Sequence, residues 1–71
     1  MKFEREINGV ESAVIAAKYK RGAYNWVAIA NISPKPITYS GRTSGLSESI
    51  CRGLNALSRG ISELTREVVI D

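Results

Sequence analysis

Tyr24, Trp26, Ala28, Ala30 and Ile32 occupy every second position of residues 24–32. Successive side chains of a strand point to opposite faces, so this alternation predicts a strand with one face against a core. Lys20-Arg21-Gly22-Ala23 before it reads as a tight turn, which makes residues 24–32 the return arm of a hairpin. Its outgoing arm is Ala13-Val14-Ile15-Ala16-Ala17-Lys18-Tyr19, within a strand expected over residues 10–19. Further upstream, Phe3 and Ile7 share one face of residues 2–7 while Glu4 and Glu6 share the other. Asn8-Gly9 follows, and this dipeptide supplies the two positive-φ residues of a type I′ hairpin turn. Ser33-Pro34-Lys35-Pro36 interrupts pairing because neither proline can donate to a ladder. Ile37-Thr38-Tyr39-Ser40 then reads as a short edge strand, completing a meander of three to four antiparallel strands.

The period changes after Gly45. Leu46, Ile50, Leu54, Leu57, Ile61 and Leu64 recur every three or four residues, the stripe of an amphipathic helix. Ser44 or Ser47 is placed to cap its start. Gly60 suits a left-handed C-cap with Arg59 in the last turn, and an unbroken or kinked helix to about Arg66 is the competing expectation. The β-branched Glu67-Val68-Val69-Ile70 predicts a short C-terminal strand, entering the sheet through a right-handed crossover. The fold class expected is α+β, in the order β-β-β-β-α-β, as one domain over residues 1–71.

At 71 residues the core is small, since a chain this short buries only about 60% of its unfolded surface. Cys51 has no second cysteine to pair with, and the lack of histidine leaves no Cys/His zinc quartet. Oligomerisation is the remaining route to further burial, and homodimer and monomer stay equally open. No stretch approaches the roughly 20 apolar residues of a membrane span, and Met1-Lys2-Phe3 does not open a signal peptide. A reducing, cytoplasmic setting is therefore expected. A net charge of +3 tilts the chain toward acidic partners and against a mimic of DNA. The charge is segregated: Glu4, Glu6 and Glu11 dominate the first eleven residues, and Lys18, Lys20, Arg21, Lys35 and Arg42 the middle.

Catalysis requires convergent ionisable groups, and the absence of histidine removes the usual general base and the Ser-His and Cys-His nucleophiles. Cys51 beside Arg52 reads as a small filler at the edge of the helix stripe rather than an activated thiol. Glu48, Glu63, Glu67 and Asp71 are scattered along the chain and read as solvated. Ser40-Gly41-Arg42-Thr43-Ser44-Gly45 is either an anion cradle before a helix or a plain strand-to-helix turn. No catalytic residue, metal ligand or cofactor is expected.

Residues 11–71 resemble the first half of the ribonuclease H-like fold. The likeness is carried by Tyr39-Ser40-Gly41-Arg42-Thr43, by Glu48 in the first helical turn, and by Val68-Val69-Ile70-Asp71. In that family a helix bears a metal-binding Glu and the following strand ends in a metal-binding Asp, positions matched by Glu48 and Asp71. The family's first-strand Asp has no counterpart, because that stretch reads Ala16-Ala17-Lys18. The resemblance therefore implies a fold without the catalysis. A reduced version of the same fold occurs in HicB-type antitoxin domains, which this chain resembles in Gly22-Ala23-Tyr24 and Gly41-Arg42-Thr43. Those domains bind and block a small toxin protein. Their usual Glu-Glu-Ala helix start is missing here.

The function expected from all this is a non-enzymatic interaction protein that binds and inhibits a protein partner. Tyr39, Arg42, Lys18 and Lys20 are its candidate partner-binding residues, Tyr and Arg being frequent interface anchors. The alternative is a small nucleic-acid-binding protein using Lys18, Lys20, Arg21, Lys35 and Arg42; alternation puts Lys18 and Lys20 on one face of their strand and Tyr19 on the other, cations beside a ring that could stack on bases.

Overall fold

The computed structural model describes residues 1–32 and 35–70, with side chains as far as Leu64. Four strands, β1 (Lys2–Ile7), β2 (Val10–Lys20), β3 (Ala23–Ala30) and β4 (Ile37–Thr43), precede one helix, α1 (Leu46–Ile70). The strands form a single antiparallel sheet in chain order. Asn8 and Gly9 both take positive φ, 49° and 81°, as the type I′ turn requires, and β1 pairs along its whole length from Lys2↔Ile15 to Ile7↔Val10. Gly22, at φ 71°, closes the second hairpin.

Alternation decides which side is buried. Val14 and Ala16 on β2 and Trp26, Ala28 and Ala30 on β3 face α1, and with Leu57 and Ile61 of the helix they form the core. Burying Leu57 and Ile61 stabilises the fold by about 1.5–3 kcal/mol each. The line of the helix that presses on the sheet is small: Ser49, Gly53, Leu57 and Gly60 are buried, while Leu46, Ile50 and Leu54 flank it half-buried. A Cβ built on Gly53 would stand 2.6 Å from Val14 Cγ1, and one built on Gly60 would run into the Tyr39 hydroxyl. The two glycines lie two turns apart on one face. They are notches that admit the side chains of β2 and β4.

That packing corrects the C-cap expected at Gly60. The helix runs through it, because its task is to make room for Tyr39 rather than to reverse the chain. The expected strand at Glu67-Val68-Val69-Ile70 is likewise replaced by continuing helix, as far as Ile70. Ile61-Ser62-Glu63-Leu64-Thr65-Arg66 contains no Gly, Pro or Asn to turn the chain back toward the sheet. Extending an existing helix over β-branched residues costs no more than ~0.7 kcal/mol per residue. No crossover strand exists among the described residues.

The start of α1 also departs from expectation. β4 extends to Thr43, so Ser40-Gly41-Arg42-Thr43 is strand and not an anion cradle. Gly45 takes the N-cap position, its carbonyl accepting the Ser49 amide and the hydroxyls of Ser49 and Thr43, each at 3.0 Å. Thr43 and Ser49, both buried, also meet through their hydroxyls; each carries one proton, so at any moment one of them donates to the other and the second donates to Gly45. Neither Ser44 nor Ser47 fills this role; Ser44 donates instead to the Glu48 carboxylate at 3.5 Å. Within the sheet, Trp26 stands opposite Gly41, and a Cβ there would meet the indole at 2.8 Å.

Gly60→Ala is expected to destabilise the fold by about 1–3 kcal/mol through over-packing against Tyr39. On an exposed helix face the same change would stabilise by about 1 kcal/mol. Adding Tyr39→Phe removes the obstructing hydroxyl and recovers part of the loss. Urea unfolding followed by the fluorescence of Trp26, the single tryptophan, reads both variants. A Gly60→Ala protein more stable than wild type would refute this packing.

Candidate interaction surface

The side of the sheet turned away from α1 has no covering layer among the described residues. Its centre is apolar: Ile15 stands directly opposite Val27, and Ala13 opposite Ile29. Ile15 and Val27 are 45% and 46% exposed, whereas Val14 and Ala28, one residue along and on the other side, are wholly buried. Sequence alternation thus produces two apolar faces where only one has a helix to meet.

Charge is separated along this open face. Glu6 and Glu11, paired across β1 and β2, lie at the Asn8-Gly9 turn with Glu4 beside them on β1. With Lys2 and Arg5 of β1 they border a shallow depression of about 510 Å³ that reaches Ala13 and Ile29. At the opposite end of the strands, Arg42 of β4 lies across β3 toward β2. Its guanidinium rests 3.9 Å from the centre of the Tyr19 ring, and its Nε–H donates to Asn25 Oδ1 at 2.9 Å. A bulge between Lys18 and Lys20 breaks the alternation there and brings Lys20 Nζ to 5.6 Å from the same ring. Tyr19 is therefore flanked by two cations.

The residues expected to bind a partner do not share one surface. Tyr39 and Arg42 sit on opposite faces of β4. Tyr39 is half-buried against α1 with its hydroxyl at Gly60, while Arg42 is on the open face. Lys18, opposite Tyr24, belongs to the helix side, and the bulge separates it from Lys20. Of the wider basic set, Lys18, Lys20, Arg21 and Arg42 gather at the β2–β3 turn. Lys35 lies at the other end, beside a shallow apolar groove lined by Ile32, Ile37 and Leu64. Sequence reading missed the Tyr19–Asn25–Arg42 cluster, which spans three strands and emerges only from the register Ala17↔Asn25↔Arg42.

Glu48 is exposed and forms an i,i+4 ion pair with Arg52 at 3.3 Å. Asp71, its partner in the ribonuclease H-like comparison, lies outside the described residues. Among the described residues no three His, Cys, Asp or Glu side chains come together as a metal site requires, and no helix is long and apolar enough to cross a membrane. Cys51 is exposed.

Arg42→Ala is expected to lower stability by only about 0.5–1 kcal/mol, the worth of an exposed cation–π contact. A chemical denaturation curve checks this. A loss several times larger would make Arg42 a structural residue and not part of a recognition surface.

Comparison with protein-family models, with curated proteins and with solved structures gives no match.

Proposed function

We propose that this protein is a non-enzymatic interaction module that binds a protein partner and neutralises it by covering its surface, as an antitoxin or small inhibitor does. The observation that carries the reading is the contrast between the two sheet edges. β1 holds Lys2, Glu4, Arg5 and Glu6 among its six residues, the charged composition that keeps an edge from pairing. β4 holds Arg42 as the one charged residue of seven, with no proline. No strand pairs with its outer side among the described residues, and that edge is open to strand addition. An added strand lies between Arg42 on the open side and the half-exposed ring of Tyr39 on the helix side. Lys18 and Lys20 at the neighbouring turn favour an acidic segment. The HicB-type likeness points the same way, and the engagement of Glu48 by Arg52 agrees with a role outside metal chemistry.

Cross-linking in the native cell, identification of the captured protein, and reconstitution with the purified partner test the reading. Wild type forms a stoichiometric complex. Arg42→Ala and Tyr39→Ala, each checked for folding by circular dichroism, weaken it by about tenfold or more, as anchor residues do. If both variants bind like wild type, β4 is not the binding edge.

The second reading is nucleic-acid binding, favoured by the gathering of Lys18, Lys20, Arg21 and Arg42 at one end of the sheet. It requires affinity for duplex DNA to fall with a log–log salt slope of roughly −3 to −4 if these four neutralise phosphates. Binding that ignores salt removes it.

A further inference from the structure

We infer that the open face of the sheet docks a second copy of this chain, face to face about a two-fold axis. This inference does not rest on the edge-pairing reading above; the two surfaces share Arg42, and Val27, which lies on this face alone, tells them apart.

The argument begins with the apolar centre. Among the described residues Ile15, Val27 and Tyr19 make up three of the five large hydrophobic residues that are markedly exposed, and all three lie on this face. Strands about 4.8 Å apart with a rise of about 3.4 Å per residue make the paired part of the sheet near 20 by 23 Å. That suits an interface at the small end of the specific range, below ~1,200 Å² in total. A dimer in rapid exchange with monomer is the form expected.

Charge selects the occupant. An acidic partner would match the Arg42 end and be repelled at the Glu6–Glu11 end; a basic partner would meet the reverse. The face itself carries both signs, at opposite ends of the sheet with the apolar patch between: Glu11 at one end of β2, and at the other the Arg42 guanidinium that reaches over to Tyr19. A two-fold axis through that patch, perpendicular to the strands, lays the acidic end of one copy on the basic end of the other. Both ends are then satisfied at once, as an isologous interface requires. The strands run nearly antiparallel across it, the aligned mode of sheet-on-sheet packing.

Two local features favour the arrangement. Glu6 and Glu11 stand directly opposite each other, a like-charge pair that destabilises a sheet. Among the described residues the ion pair within 4.0 Å is Glu48–Arg52; Lys2 and Arg5 line the same depression as Glu6 and Glu11 without closing an ion pair with either. At the other end, Asn25 and Tyr19 hold Arg42 by its Nε–H and its flat face, leaving the terminal NH₂ groups for a carboxylate. An arginine held this way loses little entropy on pairing.

Sedimentation equilibrium over a wide concentration range tests the inference. The weight-average mass of wild type rises from the 7.8 kDa of the chain toward twice that value, and less so in high salt. Arg42→Glu and Glu11→Arg each weaken association about tenfold or more, and the double variant restores it, because the two sites exchange signs together. Val27→Asp abolishes the dimer; Val27 is exposed on an inner strand, so folding and partner capture at β4 remain. A chain that stays monomeric at millimolar concentration overturns the inference. So does a dimer that survives Val27→Asp, or a double variant as weak as the single ones.

Discussion

The close approach of α1 to the sheet is the constraint from which the rest of the molecule follows. Ala16, Ala28 and Ala30 keep the sheet surface low, and Ser49, Gly53 and Gly60 keep the helix surface low. Val14 then fills the notch at Gly53, and Tyr39 the notch at Gly60. With so little bulk between the layers, stability depends on contact density rather than on large side chains. Tight packing recovers dispersion energy that a looser core of the same composition would lose. Trp26 is the exception in size, and its bulk is accommodated sideways over Gly41 within the sheet. Its buried indole N–H has no hydrogen-bond partner among the described residues. Leaving such a group unpaired costs about 1–3 kcal/mol, a measure of how much the remaining packing must supply.

One helix can cover only one side of a four-stranded sheet. The alternation that buries Val14, Ala16, Trp26 and Ala28 necessarily presents Ala13, Ile15, Val27 and Ile29 on the other side. Polar residues at those positions would have left a wet, inert face. The apolar centre framed by separated charge is therefore a property of side-chain choice, and not a by-product of the topology.

Much of this fold was legible in the chain. Period-two alternation located β2 and β3, Asn8-Gly9 located the first turn, and the change of period at Leu46 located the helix. The departures share a physical cause: a local signal takes its meaning from residues distant in sequence. Gly60 has the composition of a cap, yet its position two turns from Gly53 on the packed face makes it a point of contact. Val68-Val69-Ile70 has strand propensity, but a strand needs a reversal that the preceding residues do not supply. Tyr39 and Arg42 lie three apart, an odd spacing that puts them on opposite faces, so strand parity alone could have separated them. The Arg42–Tyr19 contact was not legible, since it depends on the registers of two strand pairs and a bulge. The ribonuclease H-like likeness needs a strand after the helix, where the described backbone continues α1.

The two notches also bear on the order in which the chain acquires structure. Each glycine inside α1 lowers the intrinsic stability of the free helix by about 1 kcal/mol relative to alanine. The segment is therefore a poor helix before it meets the sheet. The meander needs only hairpin contacts between neighbours in sequence, which close early because little chain entropy opposes them. The sheet is thus the template and the helix the late arrival, its glycines becoming favourable only when Val14 and Tyr39 are in place to fill them. In the interval before docking, both apolar faces of the meander are open to water. Self-association is then a hazard from either side, and charged β1 is the edge least able to propagate it.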